Sequence, residues 1–173
     1  MQQQRAVHPR PAIHVVMGPN RLLHVGPGGH IRVATKPLDY AFSVVDDLGN
    51  VVDLPDGEAV LAECDALGRS ICIVKPDPPT DPPNGYVEPD DRRAATMRGI
   101  ETGLATADGE PILGTGTGSG SRISYDPADW PRPGDPASPG RAQVLLALLR
   151  QAAIYAKGAD NPTDGRTLLE SGR

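Results

Sequence analysis

Aromatic side chains are scarce in this chain. One Phe, one Trp and four Tyr are spread over 173 residues. The core must therefore be built mainly from Val, Leu, Ile and Ala. Basic residues are also in the minority, with 17 Lys and Arg against 22 Asp and Glu, for a formal charge of −5. That balance excludes a general nucleic-acid binder, which needs a basic face to displace counterions. No apolar run approaches the ~20 residues of a membrane span. The first residues, MQQQRAVHPRP, have no apolar stretch behind their first basic residue. A cleavable signal peptide is therefore not expected, and the chain reads as soluble. There are only two cysteines, Cys64 and Cys72. Two such residues, with no second Cys or His pair near them, read as small buried hydrophobes in a reducing compartment.

What the chain has in quantity is glycine and proline, 39 of 173 residues. Long irregular loops and loose ends are expected. The length suits one domain. We expect residues 1–11 to be disordered, residues 12–158 to form the domain, and residues 159–173 to be a loosely held tail.

Three short β-branched runs open the domain: Ile13–Met17, Leu22–Val25 and Ile31–Ala34. Gly18-Pro19-Asn20 and the stretch from Gly26 to Gly29 separate them with turn chemistry, which predicts a small meander. Ala41–Val45 and Val51–Leu54 flank Asp46-Asp47-Leu48-Gly49-Asn50 and read as a further hairpin. Asp56 opens a helix in which Ala59, Val60, Leu61, Cys64 and Leu67 recur at three and four, and Gly68 closes it. Ser70–Val74 reads as a strand. Pro76–Pro89 holds six prolines in fourteen residues and cannot be regular structure. Arg122–Tyr125 alternates as a strand does. A Pro-rich loop containing Trp130 follows. Ser138–Gly158 is the longest helix signal, with Ser138 as N-cap, Pro139 at the first position and Gly158 as terminator.

Few side chains form a catalytic pattern. The glycine run 114–120 lacks the Lys of a phosphate loop and precedes a strand, so a loop lying close to another backbone is the expectation. His8, His14, His24 and His30 crowd the first thirty residues. His14 and His24 fall on neighbouring predicted strands, but zinc wants three or four ligands. The pairs Asp46-Asp47 and Asp90-Asp91 read as turn or solvated residues. No local signature frames a nucleophilic Ser.

From Leu113 to Gly158 the chain reads GTGTGSGSRISYDP, then ADWPRPGDPASPGRA, then a helix framed by Leu145, Leu146, Leu149 and Ala152. This order resembles the NleD-like zinc metallopeptidase effectors and related domains of bacterial polymorphic toxins. In them a Gly-Thr-Gly-rich segment, a strand ending Tyr-Asx-Pro and a Pro-rich loop precede a Leu-Leu-His-Glu-Leu-x-His-Ala helix. The likeness covers roughly residues 56–160.

The resemblance implies an α+β, zincin-like small domain. A long C-terminal helix would pack on a short mixed or antiparallel sheet with long Pro/Gly-rich loops. It also implies zinc as the family's cofactor. The family's two His ligands, however, fall on Ala147 and Gln151, and its general base falls on Leu148. Two imidazoles at i and i+4 share a helix face and can meet one zinc. Ala and Leu offer no lone pair, and Gln151 is a poor substitute for imidazole. Candidates for the family's third ligand are Asp160, Asp164 and Glu170. Residues 147, 148 and 151 should line a cleft beside the strand ending at Tyr125, with Tyr125, Asp126, Trp130, Arg150 and Gln151 as its residues. No bound cofactor and no catalytic residue are expected.

The reading is a degenerate effector-type domain that binds a protein partner. It would lie in the bacterial cytoplasm or be delivered by a specialised secretion system. Two alternatives stay open: a zinc hydrolase with ligands elsewhere, such as the N-terminal histidines, and a structural or adaptor domain of a secretion or phage-like apparatus.

Overall fold

The computed structural model describes residues 13–77 and 85–164. The expected disordered start, residues 78–84 of the Pro76–Pro89 loop and the end of the tail lie outside the described residues. The end of that loop corrects the expectation of irregular structure: Tyr86–Pro89 is a strand, with Pro89 at its last position on the edge of the sheet. The fold is α+β, a mixed sheet with a long C-terminal helix. Strands β1 (Val15–Met17), β2 (Leu22–Val25) and β3 (Ile31–Ala34) make the expected antiparallel meander. Two helices then cross over, α1 (Leu38–Val52) and α2 (Gly57–Ala66), leading to β4 (Ile71–Val74) parallel to β3. Next come β5 (Tyr86–Pro89), the short α3 (Arg92–Ala95) and a separate hairpin of β6 (Glu101–Ala105) and β7 (Pro111–Leu113). Strand β8 (Ser121–Ser124) inserts between β4 and β5, parallel to the first and antiparallel to the second. Helix α4 (Arg141–Lys157) follows, and a short turn of 3-10 helix (Pro162–Asp164) comes after it. The large sheet runs β1-β2-β3-β4-β8-β5. Among the described residues, no helix is long and apolar enough to cross a membrane.

The expected hairpin over 41–54 is instead the single helix α1. Val44, Val45, Val51 and Val52 suggested strands, and Gly49-Asn50 suggested the turn. In the fold, Tyr40, Ala41, Val44, Asp47, Leu48 and Val51 are buried. They repeat at three and four and form one face against the sheet and α4. Burial of that face outweighs the poor helix propensity of Val, Gly and Asn, which is a fraction of a kcal/mol to about 1 kcal/mol per residue.

Alternation decides the two faces of the sheet. Val25, Ile31, Val33, Ile71, Ile73, Ile123 and Val87 join residues of α1, α2 and α4 in one buried cluster. The residues between them, His24, Arg32, Cys72, Arg122 and Glu88, stand opposite one another in register on the other face. Cys64 is buried in the cluster as expected, and its thiol donates to the Leu149 carbonyl at 3.5 Å. Cys72 corrects the expectation. It is only half-buried, because its strand parity turns it away from the helices.

Helix α4 begins three residues later than Ser138. Gly140 is its N-cap, and the Gln143 amide oxygen accepts the Gly140 N–H at 2.9 Å. Ser138 serves the preceding loop, accepting the Arg132 N–H at 2.7 Å. Gly158 ends the helix as expected, at φ +66°. The glycine run packs there: Gly118 and Ser119 donate to Ala94 and Tyr155 carbonyls at 2.8 and 2.9 Å. A Cβ on Gly118 would overlap the Ala156 carbonyl. The expected close approach to another backbone is what the glycines permit.

Candidate functional site

The positions that the resemblance singles out lie on the middle of α4. Leu148 is 2% exposed and belongs to the hydrophobic cluster. It packs with Leu145, Leu149 and Ala152 rather than lining an opening. Ala147 and Gln151 are half-buried on the flank of the same helix, one turn apart. The Gln151 amide lies near the Asp160 carboxylate and the Tyr155 hydroxyl, and it holds down the pKa of each.

Asp160 is one of the candidate third ligands, and the fold brings it to Gln151. Backbone bonds hold it there. The Asp160 N–H donates to the Ala95 carbonyl at 3.0 Å, and its own carbonyl accepts the Met97 N–H at 2.9 Å. So the chain just past α4 is tied to the end of α3. The third member of the group is Arg92, on the first residue of α3. Asp91 caps that turn by accepting the Arg93 and Ala94 N–H groups at 2.9 and 3.2 Å. The Arg92 guanidinium reaches Asp160 at 3.6 Å and lies 5.7 Å from the centre of the Tyr155 ring. Burial raises the Asp160 carboxyl above its usual range, and Arg92 and Gln151 oppose that rise. Burial likewise raises the Tyr155 hydroxyl against the same guanidinium.

These residues do not fit zinc. Ala147 has no donor atom and Leu148 is in the core. Of the two remaining oxygen groups, Gln151 is a poor zinc ligand and Asp160 already faces an organic cation, Arg92. The N-terminal histidines do not supply a replacement. His30 Nδ1 lies 3.4 Å from Asp65, and His24 packs against Gly18. His14 lines a cavity beside α2. His8 lies outside the described residues. Among the described residues, no three His, Cys, Asp or Glu side chains are grouped to hold a metal ion.

The five expected cleft residues are dispersed. Tyr125 is fully buried, and its hydroxyl points toward α1 and the start of α4. Asp126 caps a short turn by accepting the Ala128 N–H at 3.0 Å. Trp130 is buried against Gly85, with the Arg132 guanidinium 4.8 Å from its ring centre. Arg150 reaches Asp56 at 3.7 Å, on another side of α4 from Gln151.

One polar group escaped the sequence reading. Asp47 is not a solvated turn residue but is buried on α1. Its Oδ2 accepts the Tyr125 hydroxyl at 2.7 Å and the Arg141 Nε–H at 3.1 Å, while Oδ1 meets Arg141 Nη2 at 2.8 Å. The signal available was its place at i+3 and i+7 from Val44 and Tyr40, visible only once the segment is read as a helix. Compared with known proteins, the chain matches no family model, no curated protein and no solved structure.

Proposed function

We propose that this chain is a non-catalytic, protein-binding domain of the effector metallopeptidase type, with a zincin-like ancestry whose zinc chemistry has been lost. It works in the bacterial cytoplasm or after delivery by a specialised secretion system. The observation that carries the reading is the contact of Arg92 with Asp160 beside Gln151. Asp160, one of the three candidates for the family's third ligand, is instead paired with a cationic side chain of the protein itself. Leu148 supports the absence of catalysis, though not the ancestry, because it lies in the core rather than in the expected cleft.

Zinc analysis after dialysis, paired with a peptidase assay on unfolded protein substrates, tests the reading. We expect no stoichiometric zinc and no cleavage. One equivalent of bound zinc with zinc-dependent cleavage would overturn it in favour of a hydrolase with ligands elsewhere.

A further inference from the structure

The outer side of α1 carries an apolar stripe with acidic residues beside it. Leu38 and Phe42, one turn apart, are 51% and 58% exposed. Phe42 is the only Phe in the chain, and an exposed helix position does nothing for it in the isolated domain. Val45 and Gly49 continue the stripe at helical spacing. A Cβ at Gly49 would meet Ile13 at 3.8 Å, so the stripe runs onto Ile13. Ile13 and Val52 in turn line a cavity of about 370 Å³ between α2 and the β1–β2 end of the sheet. Its other walls include Val25, Ile31, Leu61 and Ala62. The stripe and the cavity thus meet at Ile13 and form one apolar surface, called the groove below. The part along α1 spans about 20 Å at helical rise.

The α1–α2 segment that forms it carries charge of one sign. Residues 37–66 contain eight Asp and Glu and no Lys, Arg or His. Asp47, Asp56 and Glu63 are paired with Arg141, Arg150 and Lys157 of α4. Asp65 accepts the Gly28 and His30 N–H groups at 2.6 and 3.2 Å. Among the described residues, no ion pair engages Asp39, Asp46 or Glu58. Asp39 and Asp46 flank the stripe, and Glu58 lies at the cavity.

We propose that this groove docks a basic amphipathic helix of a partner protein. Its apolar residues, spaced at i, i+3, i+4 and i+7, would seat on Leu38, Phe42 and the cavity mouth. Its Lys and Arg residues would meet Asp39, Asp46 and Glu58. A second copy of this chain is a poor occupant, because its own α1 would set Asp39 and Asp46 against like charge. The inference deepens the binding reading above and rests on it.

The test uses the full chain and two labelled synthetic helices of about 15 residues, with Leu at the anchor positions and either Lys or Glu elsewhere. Fluorescence anisotropy should show saturable binding of the Lys peptide and none of the Glu peptide. Phe42→Ala should weaken binding about tenfold or more. Asp39→Lys with Asp46→Lys should do the same, while Asp108→Lys, on the remote β6–β7 turn, should leave it unchanged. Equal binding of both peptides, indifference to Phe42→Ala, or an equal loss with Asp108→Lys would overturn the groove. So would a dimer in light scattering that Phe42→Ala dissociates, since a second copy would then cover the face. Absence of peptide binding by a zinc-free, inactive chain overturns the groove alone. Zinc-dependent cleavage overturns the non-catalytic reading whatever the peptides do.

Discussion

The Tyr125 hydroxyl donates to the Asp47 carboxylate at 2.7 Å, joining the end of β8 to the buried face of α1 across 78 residues of sequence. Arg141 completes the group from the first turn of α4, and the Tyr40 hydroxyl donates to the Tyr125 carbonyl at 2.8 Å. Sheet, α1 and α4 are therefore fastened at one point. Burial, with Asp47 beside it, raises the Tyr125 hydroxyl well above its ordinary value, so it stays a proton donor.

Removing Arg141 leaves the Asp47 charge buried without its partner. Arg141→Met should cost about 3 kcal/mol, at the lower end for a broken buried pair because the Arg141 side chain is partly exposed. Tyr125→Phe removes one hydrogen bond and leaves the ion pair, so about 1–2 kcal/mol is expected. Urea denaturation of both variants checks the order. A larger loss in Tyr125→Phe than in Arg141→Met would contradict this account of the group.

Leu148 should behave as a core residue, not as the lining of a cleft. Leu148→Ala is expected to cost about 2–5 kcal/mol through lost burial and the cavity left behind. Leu148→Glu should cost more, because it places a charge among Leu145, Leu149 and Ala152. If Leu148→Glu folds with an unchanged urea midpoint, position 148 faces an opening after all.

The two thiols should separate kinetically. Burial pushes Cys64 up to about 12, with the Glu63 charge adding to the effect. Burial also raises Cys72, but Arg122 and Arg32 oppose it, and the residue is half-exposed on the open face of the sheet. A thiolate is the reacting species, so a maleimide should label Cys72 first and Cys64 only on unfolding. Intact-mass analysis of the native chain should show a single adduct, and Cys72→Ser should abolish it. A native adduct on Cys64 would be inconsistent with the packing around Leu149.

Asp90 predicts a pH dependence. Asp90 is an exposed residue, but partial desolvation of its carboxyl, and then the nearby Glu88, raise that carboxyl above the ordinary 3.8. The folded chain thus holds this proton more tightly than the unfolded chain does. Its contribution to stability is complete below the unfolded value and is lost as pH rises through the folded value. Asp90→Asn should flatten the fall in urea midpoint as pH rises from 3.8 through the folded value. An unchanged slope would remove Asp90 as the cause.

The sequence determined the features that depend on near neighbours. Short β-branched runs between turn residues marked β1 to β3, a short apolar run marked β4, and alternation marked β8. Asp56 and Gly68 bracketed α2. Gly158 fixed the end of α4, where an L side chain would be strained and would strike Gly116. That Ala147, Leu148 and Gln151 bring no imidazole and no carboxylate to the middle of α4 was visible without a structure. Tertiary structure decided what depends on partners far along the chain. It turned 38–52 into a helix, because the sheet and α4 reward one buried face more than local propensity penalises it. It inserted β8 between β4 and β5, buried Asp47 against Arg141 from 94 residues away, and turned Cys72 to the open face. It also set Arg92 at Asp160 near Gln151, and left Phe42 exposed beside Asp39 and Asp46. Each of these is a meeting of residues distant in sequence, and no local pattern carries that information.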